Sequence, residues 1–283
     1  MRFPWGGFFS LRPDLDATLE LSLEELEGES AFFRETRLLT WAPWRPHFEI
    51  RIGQQFLPVG LLNERDNWFS SNPPYMDRLF AGSKGVDLGV AADFDPLGGR
   101  HLYLQASMFA GRLIRSEDAM AGGPELAPRV LSVKSHSEYH DLFLTYFTHD
   151  LAFYDPVRAY GLGFELRSAD WSGWRGRVLS EAWRIRQSQA LGPDELSHGY
   201  LVYSELVWRG LTLGARWSEL QAKLLKSQSL PPSRSRLYLA EVELTRGLSL
   251  RVERVCEIQS EIQRDEWVGR VLFHWPNRVG SGL

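Results

Sequence analysis

Three short stretches combine residue types that could do chemistry. "HSEYHD" brings His136, Glu138, His140 and Asp141 together. On a helix, His136 and His140 would share a face four residues apart and could hold a metal ion. On a strand they point the same way but stand about 13 Å apart, at roughly 3.3 Å per residue, too far for one ion to bridge. A polar turn fits the surrounding pattern better. His149-Asp150 and Ser197-His198 are pieces of an acid–base or nucleophilic pair, yet no motif joins them. "GGRH" and "AGGP" carry turn glycines, since no helix with Lys-Ser or Lys-Thr follows to make a phosphate loop. These residues give no reason to expect an enzyme, a metal or a cofactor.

A second set of polar residues is more regular. Asp16, Glu20 and Glu24 alternate with Ala17, Leu19, Leu21 and Leu23, and Glu49 and Arg51 with Phe48, Ile50 and Ile52. Asp87 and Asp93 bound Leu88, Val90 and Ala92, while Glu165 and Arg167 continue the alternation of Tyr160, Leu162 and Phe164. The same holds for Arg216 in "LTLGARW", for Glu241 and Glu243 in "RLYLAEVELT", and for Arg251 and Glu253 after Leu250. Period two means a strand with one apolar and one polar face. Short turn signals at 42–46, 95–99, 171–174, 208–211 and 245–248 alternate with longer polar connections near 58–84, 114–127, 189–197, 225–235 and 260–265. The pattern predicts one all-β domain over residues 1–283. It is an up-and-down antiparallel β-barrel of about 14 strands, with 12 to 16 possible, starting near residue 14.

The remaining question is whether the apolar face meets a protein core or lipid. Tilted strands of roughly 9–11 residues span a bilayer, and these segments have about that length. Of the 11 tryptophans, Trp41, Trp44, Trp171, Trp174, Trp208, Trp217 and Trp275 gather near segment ends, as interfacial girdles would. A closed barrel also leaves no sheet edge unpaired in lipid. The apolar set is therefore expected to face lipid, with Leu213 near the midplane, and the polar set to face inward. No run of 18 apolar residues suggests a membrane helix, and "MRFPWGGFFS" has no apolar stretch of signal-peptide type. The net charge of -4 gives no reason to expect a nucleic-acid partner. Cys256, the single cysteine, excludes an intramolecular disulfide and a cysteine-based zinc site.

Residues 50–113 carry a more specific pattern: Gly53, Pro58 and Gly60, then a long connection, then Asp87, Gly89 and Val90, a Gly98-Gly99 turn, and Tyr103, Phe109 and Gly111. This resembles the phosphate-selective porin O and P family of Gram-negative outer membranes. The resemblance implies a porin-like barrel in the outer membrane, in contact with its lipid and forming a homo-oligomer or meeting other envelope proteins. Phosphate selection is not carried over, because the family's ladder of basic residues has no match here. The expected function is passive diffusion of small hydrophilic solutes or ions. A plugged barrel with a structural or assembly role is the second reading, and an outer-membrane enzyme the third. Candidate pore-lining residues are Glu49, Arg51, Asp87, Asp93, Glu165, Arg167, Arg216, Glu241, Glu243, Arg251 and Glu253. The same residues read equally well as ion pairs that stiffen a small lumen. The connection 58–84 is too long for a passive hairpin and too apolar to stay in water. It is expected to pack over or into the mouth, where Glu64, Arg65, Asp66, Asp77 and Arg78 would set a constriction or lid.

Overall fold

The computed structural model describes residues 2–26, 29–61, 73–80, 86–98, 101–110, 126–150, 156–188, 194–224, 230–245, 248–259 and 262–273, the side chains of 2–8, 20–37, 56, 77, 78, 80, 86, 87, 126, 127, 150, 262, 272 and 273 excepted. Among them, fifteen strands form one sheet in chain order, each antiparallel to the next. They are β1 (Arg2–Arg12), β2 (Leu15–Leu26), β3 (Glu29–Trp44), β4 (Phe48–Phe56), β5 (Val86–Phe94), β6 (Tyr103–Phe109), β7 (Leu126–His136), β8 (His140–Asp150), β9 (Val157–Arg167), β10 (Trp174–Gln187), β11 (Glu195–Trp208), β12 (Leu211–Leu224), β13 (Ser233–Thr245), β14 (Leu248–Gln259) and β15 (Ile262–Phe273). One seven-residue helix, α1 (Pro74–Phe80), lies between β4 and β5. The first and last strands approach each other, so the sheet curls round on itself.

The expected meander is present, with one strand more than the 14 read from periodicity. The addition is β1, "RFPWGGFFSLR". Pro4, Gly6 and Gly7 hide its alternation, because proline cannot donate to a ladder and glycine has no side chain to mark a face. It pairs with β2 from Arg2↔Glu24 to Ser10↔Asp16. The odd count means that β1 and β15 run in the same direction. Short turns join β3 to β4, β7 to β8, β9 to β10 and β11 to β12 at one end. The long connections between β4 and β5 and between β6 and β7 lie at the other.

The outward face follows the apolar alternation. Leu88, Leu162, Leu213, Val242 and Leu250 are exposed, while Leu19 and Ile50 are partly covered. No second sheet or helix layer covers this face among the described residues. Two aromatic belts bound it. Trp41, Trp44, Trp171, Trp174 and Trp208, all exposed, ring the short-turn end, where Trp174 and Trp208 stack at 5.2 Å. Toward the long-loop end lie Tyr146 against Tyr160 at 5.0 Å, then Tyr200, Trp217, Tyr238 and Trp267. Along β11, the eight steps from Tyr200 to Trp208 rise about 26 Å. At a strand tilt of about 40° this is a band ~20 Å tall, close to that of outer-membrane barrels. Leu213 pairs with Leu206, two steps from Trp208, so it sits near the short-turn interface and not at the midplane. Phe164, four steps from Tyr160 in β9 and opposite Leu142 and Ser180, holds the midplane position.

Candidate functional site

The inner wall is not uniformly polar. Toward the short-turn end, β8 to β11 turn Asp141, Glu165, Arg167, Arg177 and Glu205 inward. Toward the long-loop end, the inward positions of β8 to β13 include a buried apolar set: Phe147, Ala159, Ile185, Trp183, Leu201, Leu220 and Leu237. Nothing belonging to the sheet could bury them, since they line the concave side of a single layer. Leu57, Val59 and Leu61 beyond β4, with Tyr75, Met76 and Leu79 of α1, complete this cluster. The long connection thus enters the lumen, with α1 against β10, β11, β12 and β13. A one-sided alternation hides the feature. Its only mark in the sequence is a run such as "YLVY" (200–203), apolar on both faces.

Glu181 anchors the inserted segment. Its carboxylate accepts hydrogen bonds from the Leu61 backbone N–H at 2.8 Å, the Tyr75 hydroxyl at 2.8 Å and the Trp183 indole N–H at 3.0 Å. Burial, and then the Glu181 charge, hold the Tyr75 phenol well above its ordinary pKa, so the phenol stays protonated and donates. The Tyr75 and Trp183 rings stack at 6.2 Å. Glycines on the wall make room for these rings. A Cβ at Gly161 would lie 2.3 Å from the Trp183 ring, and one at Gly199 would lie 2.4 Å from the Tyr75 Cβ. At Gly60 (φ +75°) a Cβ would lie 2.7 Å from Glu181 Oε2. Glycine therefore serves both the backbone turn and the close approach to the anchor. Gly199→Ala should weaken helix docking by about 1–3 kcal/mol, the usual cost of overpacking, with the barrel intact. The measurement is faster protease cleavage within residues 57–80 at unchanged heat-modifiability on a denaturing gel.

The charged positions expected inward fall into several groups. Arg51 lies 3.5 Å from Glu49 and 2.8 Å from Asp93. Gln105 donates to Asp93 at 2.7 Å, and Lys134 to Gln105 at 2.8 Å, extending this chain across β4 to β7. Arg167 reaches Asp141 at 2.9 Å and Glu165 at 3.5 Å. Arg251 reaches Glu241 at 2.6 Å and Glu253 at 3.5 Å. Arg216 is buried, with a contact to Ser235 Oγ at 3.3 Å. Glu243 is exposed near the end of β13, opposite Ser249. Glu64, Arg65 and Asp66, and the side chains of Asp77, Arg78, Asp87, Glu20 and Glu24, lie outside the described residues. Sequence reading missed Glu181, the Arg177–Glu205 pair at 3.0 Å, the Arg45–Asp16 pair and Lys134. Of these, Glu181, Lys134 and Arg177 fall on segments that alternate poorly.

Among the described residues, which leave out the Asp150 side chain, the candidate chemical clusters do not assemble into a reactive site. "HSEYHD" is the β7–β8 turn, where His136 pairs with Asp141 across the hairpin and Ser137 Oγ lies 2.8 Å from His140 Nδ1. Ser197 faces inward and donates to Glu195 at 2.8 Å. His198, the next residue along the strand, takes the opposite face. His149 is buried and stacked on Phe147 at 6.4 Å. Among the described residues no cluster has the donors for a metal ion.

No family model matches the sequence, and no curated protein matches it either. Solved structures do match. The outer membrane channel DcaP of Acinetobacter baumannii superposes with a TM-score of 0.68 at 11% identity, over 96% of this chain and 84% of that one. The trimer form of OmpT, an outer membrane protein of Vibrio cholerae, gives 0.64 at 10% over 97% and 91%. OmpF of Salmonella typhi in complex with daunomycin gives 0.64 at 10% over 96% and 89%. At these identities the likeness concerns the fold: the chain has the up-and-down antiparallel barrel architecture of outer-membrane porins.

Proposed function

We propose that this protein is an outer-membrane channel through which small hydrophilic solutes or ions pass by diffusion, narrowed from within by the segment that carries α1. The observation that supports this most is the divided inner wall. One sector is apolar and covered by α1; the remainder carries Glu49, Arg51, Asp93, Glu165, Arg167, Arg177, Glu205, Glu241 and Arg251 in ion pairs, all but Glu165 partly exposed. Both signs occur side by side, so the wall favours no single charge, unlike a ring of one sign. The Gly53-to-Gly111 pattern supports distant kinship with the phosphate-selective porins, without their selectivity. Residues 57–80 are the constriction, and the trimer form of one matched barrel supports a homo-oligomer here. The buried cluster around α1 favours a second reading, a plugged barrel with a structural role.

Single-channel recording in a planar bilayer separates the two. Ohmic conductance steps that rise when residues 73–80 are deleted are expected for the channel. An absence of current from both forms, each shown to be folded, would establish the plug.

A further inference from the structure

The outward face also carries charge in one place. Arg158 on β9 stands directly opposite Arg186 on β10. Arg184 follows on β10, opposite Tyr160 and His198. On the other side, Arg129 of β7 and Arg158 are both register partners of Thr148. All four arginines are exposed, and they share a face with exposed Leu131, Tyr160 and Leu162. Like charges directly opposed across strands are destabilising. Among the described residues the nearby acidic positions are Asp194, which takes Arg186 at 2.5 Å, and Asp150 at the end of β8, whose side chain lies outside them. Arg129, Arg158 and Arg184 form no ion pair among the described residues. Arg129, Arg158 and Arg186 stand two residues beyond the Tyr146–Tyr160 belt and Arg184 is level with it, at headgroup depth. Directly below, an apolar groove of about 620 Å³ runs down the wall between Phe94, Leu104, Leu131, Leu144, Tyr146 and Tyr160.

We infer that this is a lipid-binding site. Arg129, Arg158 and Arg184 hold the phosphate of an anionic lipid headgroup, and one of its acyl chains lies in the groove. A guanidinium cluster suits phosphate because its planar forks donate paired hydrogen bonds. An intervening anion removes the repulsion between Arg158 and its neighbours. The groove supplies what a free phosphate would leave unused. The site requires the barrel to sit in a membrane but does not depend on whether its lumen conducts.

The test is native mass spectrometry of the folded barrel in a neutral detergent, titrated with bis-phosphorylated lipid A, with phosphatidylethanolamine and with inorganic phosphate. Lipid A is expected to bind at least tenfold more tightly than phosphatidylethanolamine. The triple variant Arg129→Gln, Arg158→Gln, Arg184→Gln should lose that margin, and the matching triple lysine variant should keep most of it. Leu144→Trp, which fills the groove and leaves the arginines alone, should weaken lipid A binding several-fold; it also serves if the triple variant fails to fold. Unchanged lipid A binding in Leu144→Trp, equal binding of the two lipids, or full competition by inorganic phosphate at equal concentration would each overturn the site.

Discussion

Replacing Glu181 by alanine is expected to detach α1 from the inner wall and raise single-channel conductance. The Leu61 N–H, the Tyr75 hydroxyl and the Trp183 indole N–H all lose their acceptor at once. A buried donor without a partner costs about 1–3 kcal/mol. Even at the low end, three of them shift the docked-to-free equilibrium by roughly a hundredfold, at about 1.4 kcal/mol per tenfold. The sheet itself keeps its ladder, because β10 pairs along its whole length with β11 and from Arg177 to Gln187 with β9. The barrel should therefore still fold while its interior loosens. Glu181→Gln keeps one carbonyl acceptor and should fall between the two, and Tyr75→Phe removes a single bond and should have the smallest effect. Bilayer recording checks the order. Equal conductance across the series, with α1 still protected from protease, would remove Glu181 as the anchor.

The second large effect concerns depth in the membrane. Phe164→Arg should destabilise the barrel by about 2–4 kcal/mol, because it puts an arginine at the bilayer midplane. Leu213→Arg should cost only about 0–1 kcal/mol, since it lies two steps from Trp208 at the interface, where a long side chain reaches water. Both side chains are similarly exposed, 38% and 47%, so a soluble sheet would treat the two changes alike. Equilibrium unfolding in guanidinium from phospholipid vesicles measures the difference. Equal costs at the two sites would contradict the membrane placement of the outward face.

Much of the wall was legible in the sequence. A strand with one buried and one lipid-facing side must alternate, and register slips of one residue are forbidden because they would put every charge in lipid. Leu88, Leu162, Leu213, Val242 and Leu250 therefore announce their outward direction from local pattern alone, and Glu49, Arg51, Glu165 and Arg167 their inward one. The contrast between short turns and long connections likewise gives the order and direction of neighbouring strands without reference to distant residues. What local pattern could not decide is where the apolar residues outside that alternation go. Trp183, Leu201, Tyr203 and Leu237 are buried on the inward face in one cluster with Tyr75, Met76 and Leu79. That contact joins segments more than a hundred residues apart, as the Leu61–Glu181 bond shows. Gly161 and Gly199 read as gaps in a strand until the rings of Trp183 and Tyr75 occupy the space above them. β1 was hidden for the opposite reason: Pro4, Gly6 and Gly7 erase its period, and only pairing with β2 reveals it. Periodicity reports which side of a strand meets a different solvent, whereas the lumen's contents depend on which distant chain fills it, and that is settled by packing across the barrel.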